Sequence, residues 1–142
     1  MNQYENGTRG VFQTEYAKQL ISYDGLKFKG RSGVLNVTPT DIDGVVQLDR
    51  ENCFMFFELK YSGTVPTGQS DALTRLADAV QKGGVNCAVF VAIHNTPFPE
   101  TVMAKNAIVK KMYWNRKWYY ESKGRTLYDI MLGFIDFIKE EH

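Results

Sequence analysis

Two strand-length apolar runs, CFMFFELK at 53–60 and VNCAVFVAI at 85–93, flank a segment of helical periodicity. This arrangement restricts the fold more than any other feature of the chain. Each run is too short for most helices and apolar on both sides of a strand, as expected of strands covered on both faces. Between them, Ala72, Leu73, Leu76, Ala77 and Val80 recur at helical spacing over 71–82. Ser70 stands where an N-cap belongs, and Gly83-Gly84 supplies the stop. Strand, helix, strand in that order favours a mixed sheet with helices on its faces, hence an α/β fold.

The flanking segments extend the pattern. Residues 41–48 (DIDGVVQL) are β-branched and run into a turn at 49–52, so they predict a strand preceding the 53–60 run. Phe12, Tyr16, Leu20 and Ile21 predict an amphipathic helix ending near Gly25, after a polar arm of about ten residues. Residues 27–33 read as a basic, Gly-rich connection. Downstream, 106–114 and 117–121 predict a hairpin around Asn115-Arg116. The closing helix, 126–139, carries Leu127, Ile130, Met131, Phe134, Ile135 and Ile138 on one side. A chain of 142 residues without repeats or a low-complexity linker predicts a single domain.

The formal net charge is +1, so the chain is no polycation, and any nucleic-acid binding must come from a local basic face. Cys53 and Cys87 lie inside apolar runs and lack zinc-site spacing, which predicts two reduced core thiols. The polar start and the lack of an apolar run near 18 residues predict no secretory leader and no membrane span, and so a cytoplasmic protein. No Ser/His/Asp set, Cys/His cluster or phosphate-cradling glycine loop is present. His94 reads as a strand-end residue, and His142 is terminal.

Chemistry concentrates at the first pair of predicted strands. Asp43 leads one strand, and Glu58 and Lys60 sit near the end of the next. Glu58 and Lys60 are two residues apart, so a strand turns both to one face, while Phe57 and Leu59 take the other. If the two strands pair, Asp43 approaches Glu58 at one end of the sheet. Two carboxylates suit Mg2+, which takes oxygen ligands and keeps water or substrate phosphate in its remaining positions, with Mn2+ as a substitute. Such an ion polarises a phosphoryl oxygen and lowers the pKa of bound water. A neighbouring lysine orients the water or neutralises transition-state charge.

In Pro39, Asp41-Ile-Asp43 and Phe57-Glu58-Leu59-Lys60 the chain resembles the PD-(D/E)xK nuclease superfamily, the restriction-endonuclease-like fold. Within it, the pattern is similar to small phage-type and Holliday-junction-resolvase-like members. The resemblance covers residues 12–93, whose order matches the family core of helix, three-stranded meander, helix and strand. The hairpin and helix beyond about residue 100 have no counterpart in it. It implies that Asp43 and Glu58 bind the metal and that Lys60 assists the water. Pro39 precedes Asp41 by two, so the chain has no literal Pro-Asp pair, and two aspartates compete for the ligand role. Asp43, which directly leads the apolar strand, is the first choice, and Asp41 is the rival. By the same resemblance Gln69 joins the catalytic set, and Glu15, on the first predicted helix, is a further metal ligand.

The resemblance implies a DNA endonuclease, structure-selective and acting as a homodimer. A catalytically silent binding or inhibitor protein of the same fold, or an RNA nuclease, are the alternatives. Two basic regions are candidates for the phosphate contacts. One is Lys27, Lys29 and Arg31. The other is Lys105, Lys110, Lys111, Arg116 and Lys117, interleaved with Tyr113, Trp114, Trp118, Tyr119 and Tyr120, whose rings suit unpaired bases.

Overall fold

The computed structural model describes residues 22, 24–31, 33–36, 42–62 and 70–141. The chain divides into two compact units, Met1–Pro39 and Thr40–His142. In the first, β1 (Lys27–Gly30) and β2 (Gly33–Asn36) form an antiparallel two-stranded sheet running from Lys27↔Asn36 to Gly30↔Gly33. The segment read from sequence as a basic connection is therefore a hairpin. Gly33, at φ 114°, occupies a conformation that only glycine enters at low cost, and this closes the turn at Arg31. The predicted helix over 12–21 lies outside the described residues.

The second unit is built on a five-stranded sheet in the order β3-β4-β5-β6-β7. Its strands are β3 (Gly44–Leu48), β4 (Cys53–Tyr61), β5 (Asn86–His94), β6 (Ile108–Trp114) and β7 (Lys117–Tyr120). β4 and β5 are parallel, and the other neighbouring pairs are antiparallel. The helix α1 (Ser70–Lys82) makes the crossover from β4 to β5, as the strand-helix-strand order predicts. Of the expected three-stranded meander, the described part of this sheet contains the β3–β4 pair, and β1 and β2 pair only with each other. The architecture is thus α/β with a mixed sheet.

Alternation along the central strands sorts the core into two layers. Cys53, Met55, Ala88, Phe90, Ala92 and Val109 face α2 (Leu127–Glu141), which contributes Leu127, Phe134 and Ile138. Phe56, Cys87, Val89 and Tyr113 face α1, which contributes Leu73 and Ala77. Both faces of β4 and β5 are covered, which accounts for their nearly unbroken apolar sequence. Both cysteines are buried free thiols. Desolvation pushes the Cys87 thiol up to about 12, with smaller contributions from Cys53 and Asp78.

The β6–β7 hairpin turns on Asn115 and Arg116, with φ values of 51° and 67°. Two successive left-handed residues in a two-residue loop match the natural twist of a hairpin. β6 also carries a bulge. Val91 pairs with Lys111 but Ala92 pairs with Val109, so Lys110 is an extra residue in the ladder. Among the described residues, no helix is long and apolar enough to cross a membrane.

Candidate functional site

The site lies where β3 ends beside β4. β3 begins at Gly44, which pairs with Phe57. Carrying that register one residue further sets Asp43 opposite Glu58. Beyond Gly44, the edge strand offers the Leu59 N–H no further rung. The Asp43 carboxylate takes its place, with Oδ2 accepting the Leu59 N–H at 2.6 Å. A side chain thus completes the backbone pairing and holds the carboxylate at the strand end. Gly44 makes this approach close. The ring of Phe57 occupies the space where a side chain on residue 44 would stand.

Glu58 is 6% exposed, and among the described residues it is the one charged side chain in the buried set. Lys60 lies on the same face, with Nζ 3.4 Å from Glu58 Oε2. A buried carboxylate is costly unless paired and hydrogen-bonded, and this ammonium offsets part of the cost. Glu58 and Lys60 continue the α1-facing side of β4 beyond Phe54 and Phe56, toward the end of the strand. Asp43, Glu58 and Lys60, combined by sequence reasoning, are together in space.

The cross-strand register adds a residue that sequence spacing did not single out from its neighbours. Glu58 pairs with Val91, Val91 with Lys111, and Lys111 with Tyr120. Directly paired residues share a face, so Glu58, Lys111 and Tyr120 stand in one row on the α1 side of the sheet. The bulge at Lys110 gives Lys111 this orientation. Lys111 Nζ lies 4.1 Å from the centroid of the Trp118 ring, and that ring is 5.1 Å from Tyr113.

The remaining basic candidates are dispersed. Lys117 and Tyr119 alternate with Trp118 and Tyr120 and face the α2 side, with Lys117 Nζ 5.3 Å from the Tyr119 ring. Arg116 is exposed in the turn at the far end of the sheet, near Asp78 and Gln81 of α1. Lys105 and Lys110 are exposed, as are Lys27, Lys29 and Arg31 of the first unit. Asp41, Gln69 and Glu15 lie outside the described residues. His94 ends β5, as expected, edge-on to Tyr61 at 5.6 Å, and its Nδ1 accepts the Thr96 N–H.

Chemically, Asp43 and Glu58 are hard oxygen donors of the kind Mg2+ takes. Among the described residues, no group of three or more His, Cys, Asp or Glu side chains forms a metal cage. Two carboxylates by themselves would leave most of the coordination of such an ion to water and substrate. Searches against protein-family models, curated proteins and solved structures return no match to this chain.

Proposed function

We propose that the chain is a metal-dependent phosphodiesterase of the PD-(D/E)xK type that cuts DNA with Mg2+, with Mn2+ as a substitute. The observation that carries this reading is Glu58, a buried carboxylate paired with Lys60 and set across the strand from Asp43. A salt bridge needed only for stability gains little from burial, because desolvation cancels much of the attraction. An acid, a second acid and an amine gathered at one strand end make sense as a place where charge develops. The antiparallel β3–β4 pair, followed by α1 and the parallel strand β5, supports the nuclease-like topology.

In this reading Asp43 and Glu58 would hold the ion, which would supply polarisation of the scissile phosphate and a more acidic bound water. Asp43 is preset by the Leu59 N–H, so its carboxylate needs little reordering when substrate arrives. Lys60 provides a positive charge beside the reacting phosphate and N–H donors for an oxygen on which charge grows. Exposed Tyr128 and Leu132, one turn apart on α2, offer an apolar surface through which two copies would pair to cut both strands.

The test is incubation with supercoiled, linear, single-stranded and branched DNA, and with RNA, in Mg2+, Mn2+ or EDTA. Cutting in Mg2+ that EDTA stops, and that Asp43→Ala and Glu58→Ala each abolish while the variants stay folded, is the expected result. Inactivity on every substrate would overturn the enzyme reading and leave a silent nuclease-fold binding protein. A preference for RNA would overturn the choice of substrate.

A further inference from the structure

The row that starts at Glu58 ends at Tyr120 on the edge strand β7. Tyr120 is 76% exposed, a large ring displayed to solvent on the same face as the carboxylates. Its cross-strand partner is Lys111, whose ammonium leans over Trp118. A cation held against a ring is restricted in direction but keeps its charge for an anion. Three strand spacings of about 4.8 Å put Tyr120 roughly 14 Å from Glu58 along the row. That distance corresponds to about four stacked nucleotides at 3.4 Å each.

We propose that Lys111 and Tyr120 form a landing platform for unpaired nucleotides leading into the Asp43–Glu58 site. Lys111 binds a backbone phosphate, and Tyr120 stacks on a base near the end of the row. Trp118 is a positioning residue, which fixes the lysine through its ring. Base-on-ring stacking requires a base whose π-face is open, and the interior of a duplex offers none. The platform therefore selects single strands, flaps and frayed ends over continuous duplex. Charge complementarity with phosphate favours a nucleic-acid occupant over an apolar peptide. The bulge supports the same assignment. Were Lys110 to take an ordinary rung after Val109, Lys111 would face α2, away from the carboxylates, and the bulge turns it to the α1 side instead.

This inference rests on the nuclease reading for the nature of the ligand, yet its test is independent of cutting. The full chain in EDTA is titrated with a fluorescein-labelled oligothymidylate strand, and with the same strand annealed to its complement, following anisotropy at fixed salt. The single strand binds about ten times more tightly than the duplex. Tyr120→Ala weakens single-strand binding by about tenfold, and Tyr120→Phe retains it, because the ring and not the hydroxyl carries the contact. Lys111→Ala weakens binding and lowers its salt dependence by about one counterion. Lys139→Ala, the same charge change on α2, leaves binding unaltered. Thermal melting confirms that Tyr120→Ala remains folded.

Equal binding of duplex and single strand, loss of less than twofold on Tyr120→Ala, or equal losses for Lys111→Ala and Lys139→Ala each overturn the platform. A chain that cuts plasmid but shows no Tyr120-dependent binding loses the platform alone. A chain that binds in this way but cuts nothing loses the hydrolase reading alone.

Discussion

Gly44→Ala gives a direct test of how Asp43 is positioned. A methyl group built on residue 44 falls 2.7 Å from Phe57 Cε2 and closer still to Cζ and Cε1. Carbon atoms in contact prefer about 3.5–4.0 Å, so the ring must move by about 1 Å or more. Phe57 packs against the α2-side core, and displacing it is an overpacking change of about 2 kcal/mol. Phe57→Leu alone, at a half-buried position, costs about 1 kcal/mol. If the two changes were independent, the double variant would lose about 3 kcal/mol. The smaller leucine clears the space instead, so the double variant loses about 1 kcal/mol, a coupling of about 2 kcal/mol. Urea unfolding of the four proteins measures this, with matching m-values confirming a common unfolding transition. Losses that add to within about 0.5 kcal/mol would show that the ring does not hold this position. In the proposed enzyme, Gly44→Ala also lowers cutting, because the displaced strand end carries Asp43, and Phe57→Leu partly restores it.

Three further outcomes are expected. Mg2+ at ten times its dissociation constant stabilises the protein by about 1.4 kcal/mol, a rise of a few degrees in Tm, and Glu58→Gln removes that increment. An undiminished Mg2+ shift in Glu58→Gln would exclude Glu58 as a ligand. Cys87 keeps its proton in the folded chain up to about 12 while the unfolded thiol ionises near its ordinary value of 9.0. The stabilisation associated with this group is therefore complete below pH 9 and falls as pH rises toward 12. Cys87→Ala flattens that alkaline decline in a pH series of melting curves, and an unchanged decline would contradict it. The Tyr113 hydroxyl donates to Asp78, whose two carboxylate oxygens lie at 2.9 and 3.0 Å, tying the hairpin to α1. Tyr113→Phe should cost about 1–3 kcal/mol by denaturant unfolding, whereas a change below about 0.5 kcal/mol would mean that solvent replaces the contact.

Much of the second unit was legible because its patterns are local. β4, α1 and β5 follow from two runs apolar on both faces around a helical period, and burial on both sides of the sheet is the physical reason. The hairpin at Asn115-Arg116 follows from its two-residue turn between aromatic strands. Glu58 and Lys60 share a face by strand period alone, and the antiparallel strand before them brings Asp43 alongside. What escaped depends on events between strands. The β1–β2 hairpin read as a connection because a two-stranded ribbon has little core to impose a pattern. The strand predicted over 41–48 is paired only from Gly44, and that shorter pairing frees Asp43 to cap the Leu59 N–H. Gly44 was itself a signal, since an isolated glycine in a β-branched strand marks a close approach, here by Phe57. The division of the basic hairpin, with Lys111 on one face and Lys117 on the other, needed the register.

The extra residue in β6 gives this strand a place where its length can change. Val109 below the bulge and Met112 and Trp114 above it all pack toward α2, although their numbers differ in parity. Deleting Lys110 would set Lys111 directly after Val109, and plain strand alternation would keep Val109 on the α2 side and Lys111 on the α1 side, so the bulge would close without turning a side chain over. Substitution at 110 is tolerated by the same reasoning, because the pairing above and below it does not run through its side chain. Position 110 is therefore a place in β6 where a residue can be exchanged or lost with the register on both sides kept.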